Sequence, residues 1–129
     1  MKKYLLLLCI ILITFDFNQM VLGKRLAPEE INPVIFNGVK YIVLHWGKTK
    51  GLEQNGGYVE AIDIKSNKSL WKLQVYKIKY QLEKEKDVQD IFITSMVLDK
   101  DKKKLILTNE LNEIFYVNIG SKNPNVSKH

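Results

Sequence analysis

Residues 70–82 read LWKLQVYKIKYQL, and the way apolar and polar side chains alternate along them decides the fold class. Trp71, Leu73 and Val75 share one phase, with Lys72 and Gln74 opposite. From Tyr76 the phase changes. Tyr76, Ile78, Tyr80 and Leu82 fall on one side, and Lys77, Lys79 and Gln81 on the other. A period of two is that of a β-strand, and a slip of one residue is what a β-bulge produces. The pattern predicts one strand over 70–82 with a bulge or sharp bend at Val75–Tyr76.

Working outward, the upstream run 58–64 (YVEAIDI) is rich in β-formers and is separated from the first by the turn cluster Lys65-Ser66-Asn67-Lys68. Before it, residues 47–57 (GKTKGLEQNGG) hold four of the chain's seven glycines and read as a long loop without P-loop spacing. Residues 34–36 and 39–46 are apolar runs flanking Asn37-Gly38, the strongest short hairpin signal, because both turn residues tolerate positive φ. Downstream, 83–87 is a mixed charge run that reads as a solvated connector. Strands follow at 91–98, 105–108 and 113–119, with turns at 99–103 and 109–112. About seven short strands at regular spacing predict an all-β domain: a small sandwich, a barrel or a propeller-blade-like sheet of antiparallel strands. The expected organisation is a leader at 1–23, an extended arm at 24–33, one β domain at 34–120 and a disordered polar tail at 121–129.

The leader (MKKYLLLLCIILITFDFNQMVLG) has Lys2 and Lys3 ahead of an apolar core over 4–15. That core is too short to span a bilayer, which takes roughly 20 apolar residues, and an extension would include Asp16, Asn18 and Gln19. Val21 and Gly23 suit a cleavage site, so the expected product is periplasmic or secreted. An uncleaved segment anchoring the chain in the inner membrane is the alternative. The full chain has 129 residues, is 46% hydrophobic and carries a net charge of +6, which excludes disordered and collagen-like classes. Cleavage would remove the single cysteine, Cys9, and with it any thiol chemistry.

Residues 57–71, GYVEAIDIKSNKSLW, resemble one unit of the pyrroloquinoline-quinone (PQQ)-enzyme type propeller repeat, matching at Gly57, Val59, Ala61, Ile62, Asp63, Lys68, Leu70 and Trp71. Asn67 stands where that family prefers glycine. A fainter echo covers 105–119. The resemblance implies that Asp63 ties a turn and Trp71 packs between neighbouring sheets, neither being catalytic. Propellers have four to eight four-stranded blades, and this chain has strands for about two, so PQQ binding does not carry over and no cofactor is expected. The region after the leader also resembles small exported bacterial proteins of no established activity, through its Gln54-Asn55-Gly56-Gly57-Tyr58-Val59 segment and its 87–95 segment.

His45, at the end of an apolar run, is the only histidine away from the C-terminus. With Gln54 and with Asp90, which precedes an apolar run, it forms the candidate ligand-binding set. A catalytic reading pairs His45 with Asp90 or Glu53 and requires hydrogen-bond convergence. No nucleophile elbow accompanies it, and one interior histidine without cysteine does not suggest a zinc site. Lys72, Lys77 and Lys79, on the polar phases of 70–82, form a second candidate set facing an anionic glycan or lipid surface; the alternative is a set of lysines guarding an edge strand. Asn37, Gly38, Gly57, Asp63 and Trp71 read as structural. The single arginine and the leader disfavour nucleic acid. The expected function is therefore an exported, non-catalytic binding or interaction module. Its partner would be another envelope protein, an anionic surface, or a second copy through edge-strand pairing; a small exported hydrolase is the alternative.

Overall fold

Asn37 and Gly38 have φ of 50° and 75°. Two successive left-handed residues make a turn whose twist matches that of its flanking strands, and β1 (Val34–Phe36) folds back on β2 (Val39–Leu44) with Phe36 opposite Val39. A 3-10 turn (Gly47–Lys50) and a loop lead to β3 (Tyr58–Asp63), which pairs with β2, and then to β4 (Ser69–Gln74). In this computed structural model, which describes residues 25–129, an irregular crossover and one helical turn, α1 (Lys86–Gln89), connect to a second meander. It consists of β5 (Ile93–Asp99), β6 (Lys104–Asn109), β7 (Ile114–Asn118) and β8 (Asn125–Lys128). Among the described residues the protein is all-β: eight strands in two antiparallel sheets of four, each in sequential order. The expected leader, 1–23, lies outside the described residues. No helix among the described residues is long and apolar enough to cross a membrane.

The alternating burial of β6 shows how the core is made: Leu105, Leu107 and Asn109 point inward and Lys104, Ile106 and Thr108 outward. Tyr41, Val59 and Ala61 from the first sheet join Met96, Leu105, Leu107, Phe115 and Val117 from the second in one cluster. Val59, Leu105, Leu107 and Val117 are fully buried. Trp71 lies opposite Ala61 and packs against Tyr41 at 5.8 Å between ring centres, on the edge of that core. Asp63 ties the β3–β4 turn, its Oδ2 accepting from the Ser66 backbone N–H (2.8 Å) and hydroxyl (2.7 Å). On the outer face of the second sheet, the register aligns Val97, Ile106, Tyr116 and Ser127 in one row across all four strands.

Two expectations about the strands are corrected, and a third holds as one of its two alternatives. The run 70–82 is not one strand: β4 ends at Gln74, and the chain leaves the sheet where the phase changes. Val75 still donates to the Gly57 carbonyl (2.7 Å), but Tyr76 turns into the core and stacks on Phe115 at 5.1 Å. The expected bend is present at Tyr76, and the register shifts lie elsewhere, between Ala61 and Ile62 and between Ile93 and Ser95. The tail beyond 120 is not frayed but supplies β8, so the domain runs past the expected boundary. β8 answers the open edge of β7, with Val126 opposite Val117 and packed on the core.

Lys128 in β8 pairs with Glu113, which also accepts from Asn109 Nδ2 (3.1 Å). The Lys128 hydrogen bond, followed by that from Asn109, holds the Glu113 carboxyl below the ordinary glutamate value of 4.5. A depressed carboxyl contributes stability above its unfolded pKa and loses it as pH falls through the folded one. Glu113→Gln should therefore lower the denaturant midpoint at neutral pH and flatten the loss of stability below pH 4.5, measured by urea unfolding across an acid series.

Candidate functional site

The polar groups withdrawn from water gather at one end of the two sheets. β2 runs into His45 and Trp46, and the following loop brings Gln54 and Asn55 beneath the crossover. Gly47 and Gly56 allow this close approach, since a Cβ on Gly56 would lie 2.2 Å from the Ile91 carbonyl oxygen and one on Gly47 2.2 Å from that of Gln54. Gly57, with φ of 87°, then turns the chain into β3.

Gln54, 2% exposed, acts as a clamp. Its Nε2 donates to the carbonyls of Gly56 and Tyr76 (both 2.8 Å), and its Oε1 accepts from the Ile78 N–H (2.9 Å). Asp90, 3% exposed, accepts from Tyr80 at Oδ1 (2.5 Å) and from Asn55 Nδ2 at Oδ2 (2.9 Å). Its backbone carbonyl accepts from Arg25, whose guanidinium also pairs with Glu110 and lies 4.8 Å over the Phe92 ring. His45, 5% exposed, packs edge-on against Phe92 at 5.5 Å. Its Nε2 is 2.8 Å from the Glu29 carbonyl oxygen, and because a carbonyl can only accept, Nε2 carries the proton. Among the described residues the Nδ1 atom, also buried, has no hydrogen-bond partner.

Burial, followed by the hydrogen bond to Asp90, pushes the Tyr80 phenol above its ordinary range. Burial does the same to Tyr76, with Glu110 and Glu113 adding to it; the Tyr76 hydroxyl donates to the Ile91 carbonyl (2.7 Å). Outside these ties lies a cavity of about 280 Å³ lined by Arg25, Leu26, Trp46, Asn55, Asp90 and Phe92. A shallower depression of about 520 Å³ continues past Arg25 and Asp90 to Val88, Glu110 and Leu111.

The candidate set from the sequence divides here. His45, Gln54 and Asp90 come to the same end of the molecule, but only Asp90 reaches the cavity wall. His45 meets neither Asp90 nor Glu53 by hydrogen bond: among the described residues its one such contact is the Glu29 carbonyl. The lysines do not share a strand face. Lys72 is on β4 and pairs with Glu60 at 3.3 Å, whereas Lys77 and Lys79 are exposed on the crossover. Sequence reasoning missed Arg25, Trp46, Asn55, Phe92 and Glu110 as cavity residues. The chain's only arginine, set among lysines, was the one available signal. Among the described residues no group of three or more His, Cys, Asp or Glu could hold a metal ion. Comparison with protein-family models, curated proteins and solved structures returns no match.

Tyr80→Phe leaves Asp90 short of a donor and should cost about 1–3 kcal/mol, the usual penalty for an unmet buried polar group. A phenol raised in the folded state stabilises fully below its unfolded pKa of 10.0, and that contribution declines as pH rises beyond it. The Tyr80→Phe chain should accordingly lose less stability than wild type above pH 10, read from urea midpoints on an alkaline series.

Proposed function

We propose that this chain is an exported, non-catalytic β module, cleaved after Gly23 and working in the periplasm or outside the cell through contact with another envelope protein. One observation carries the reading. The row Val97, Ile106 and Tyr116 lies on the outer face of the second sheet, with Val97 57% exposed, while the buried polar side chains are engaged in holding loops together. An outward row of apolar and aromatic side chains is what a protein interface uses as its centre. The resemblance of 57–71 to a PQQ-enzyme type repeat supports the same reading, because such units work by stacking sheet on sheet. The leader pattern supports export, and the bacterial resemblance makes the periplasm the first place to look.

A photo-crosslinking residue at position 97, introduced in living cells, should give a discrete higher-mass adduct in the envelope fraction, with none from a control at Lys122. Val97→Asp should abolish the adduct partner's co-purification while changing stability by no more than about 0.5 kcal/mol, as surface substitutions do. Intact 129-residue chain in the cytoplasm, with no adduct from position 97, would contradict the proposal.

A further inference from the structure

The β5–β6 turn and the β7–β8 connection meet at one end of the second sheet, where the Ile119 N–H donates to the Lys103 carbonyl (3.0 Å). At that end a depression of about 260 Å³ opens on the outer face, lined by Lys104, Tyr116, Asn118, Asn125, Val126 and Ser127. The ladder dictates this grouping. Lys104, Asn118 and Asn125 are in register as one row, and Tyr116 and Ser127 are paired in the next. A period of two puts all five on the same face. Tyr116 presents an aromatic ring, with the Lys104 ammonium 6.0 Å from its centre. The Asn118 Oδ1 accepts from the Gly120 amide (2.9 Å), which leaves Nδ2 as a donor. Asn125 and Ser127 are exposed and bring an amide and a hydroxyl. The surrounding charge is positive: Lys100, Lys102 and Lys103 in the turn and Lys122 in the connection join Lys104, against Asp99 and Asp101. Asp99, across the ladder from Lys104, is engaged in the turn, its Oδ1 accepting from the Lys102 N–H (3.1 Å). This end of the sheet therefore attracts anions.

We propose that this depression binds a carboxylated sugar of an acidic polysaccharide. A pyranose has an apolar C–H face, which suits the negative face of an aromatic ring. Its hydroxyls match amide and hydroxyl side chains, which both donate and accept. The sugar carboxylate pairs with Lys104, and the carboxylates of neighbouring sugars meet the lysines of the turn. Other polyanions fit less well. A phosphate backbone favours arginine, whose planar fork grips it bidentately, and the chain's only arginine is engaged with Glu110. A lipid surface needs exposed apolar side chains, whereas the one aliphatic residue in the lining, Val126, packs on the core. The site shares Tyr116 with the apolar row proposed for an envelope partner. Lys104, Asn118 and Asn125 lie in the adjacent row, so the two readings stand or fall separately.

Trigalacturonate, titrated into the purified protein by calorimetry, should bind, and neutral galactotriose should bind about tenfold more weakly, since it lacks the charge-assisted bond. Lys104→Gln should lower the trigalacturonate affinity by the same factor and leave that for galactotriose unchanged, while Asn125→Ala weakens both. In a carbon–proton NMR spectrum the Tyr116 ring signals should shift as the sugar seats. No binding at millimolar trigalacturonate overturns the proposal, as does a Tyr116 ring that keeps its signals at saturation. Binding that Lys104→Gln and Asn125→Ala leave intact, with circular dichroism showing both folded, overturns it too. Equal affinity for a polyphosphate of matched charge marks unspecific attraction to the lysines and has the same consequence. Should either variant fail to fold, the ring signals of the wild-type protein decide. Val97→Asp should titrate as wild type does; its losing the sugar would assign binding to the apolar row and contradict the site.

Discussion

The structure depends on one amide side chain. Gln54 sits in the loop between β2 and β3 and bonds the Gly56 carbonyl of that loop and the backbone of Tyr76 and Ile78, just past the point where the chain leaves the first sheet. Past Gln74 the crossover has no ladder of its own, yet its backbone groups at Tyr76 and Ile78 are buried and need partners. Gln54 supplies a donor to one and an acceptor to the other. With the Val75–Gly57 bond, this replaces a missing strand and lets Tyr76 reach Phe115 across the core.

The other buried polar groups work in the same way on a smaller scale. Asp90 joins Tyr80 on the crossover to Asn55 on the loop, and His45 holds the arm through Glu29. Asn109 closes the β6–β7 turn by accepting from the Leu111 and Glu113 amides (both 3.0 Å). Apart from those of Asn109, the last residue of β6, these bonds act between segments outside the regular ladders, where a two-sheet fold otherwise has little to bind its loops. Two features remain at the surface: an outer sheet face with an apolar row, and a groove that holds the Arg25 guanidinium.

What could be read in advance was local. Asn37-Gly38 set its turn through its own left-handed φ values, Asp63 closed its turn through a side chain three residues from its partner, and β6 showed its inner face by alternation. The misread segments are those decided by distant partners. The alternation past Val75 looks the same whether Tyr76, Ile78 and Tyr80 face a neighbouring strand or a loop, and only the position of Gln54 in space distinguishes them. The polar tail contains one apolar residue suited to the core, Val126, and its pairing depends on an open β7 edge that no local pattern announces. His45, Gln54 and Asp90 were visible as polar residues at the ends of apolar runs. The partners of His45 and Gln54 are backbone carbonyls and an amide, and those of Asp90 are the side chains of Tyr80 and Asn55; which of these groups come together has no signature in sequence.

The most direct test removes the clamp. Gln54→Leu keeps similar bulk while leaving the Tyr76 carbonyl and Ile78 amide unmet, and by the usual penalty for buried unsatisfied groups it should cost about 2–4 kcal/mol. Native-state hydrogen exchange should show the Ile78 amide losing protection by more than the fall in global stability, with the β6 amides following the global value. A variant as stable as wild type, with Ile78 still protected, would show that the crossover is held by something other than Gln54 and would contradict the account.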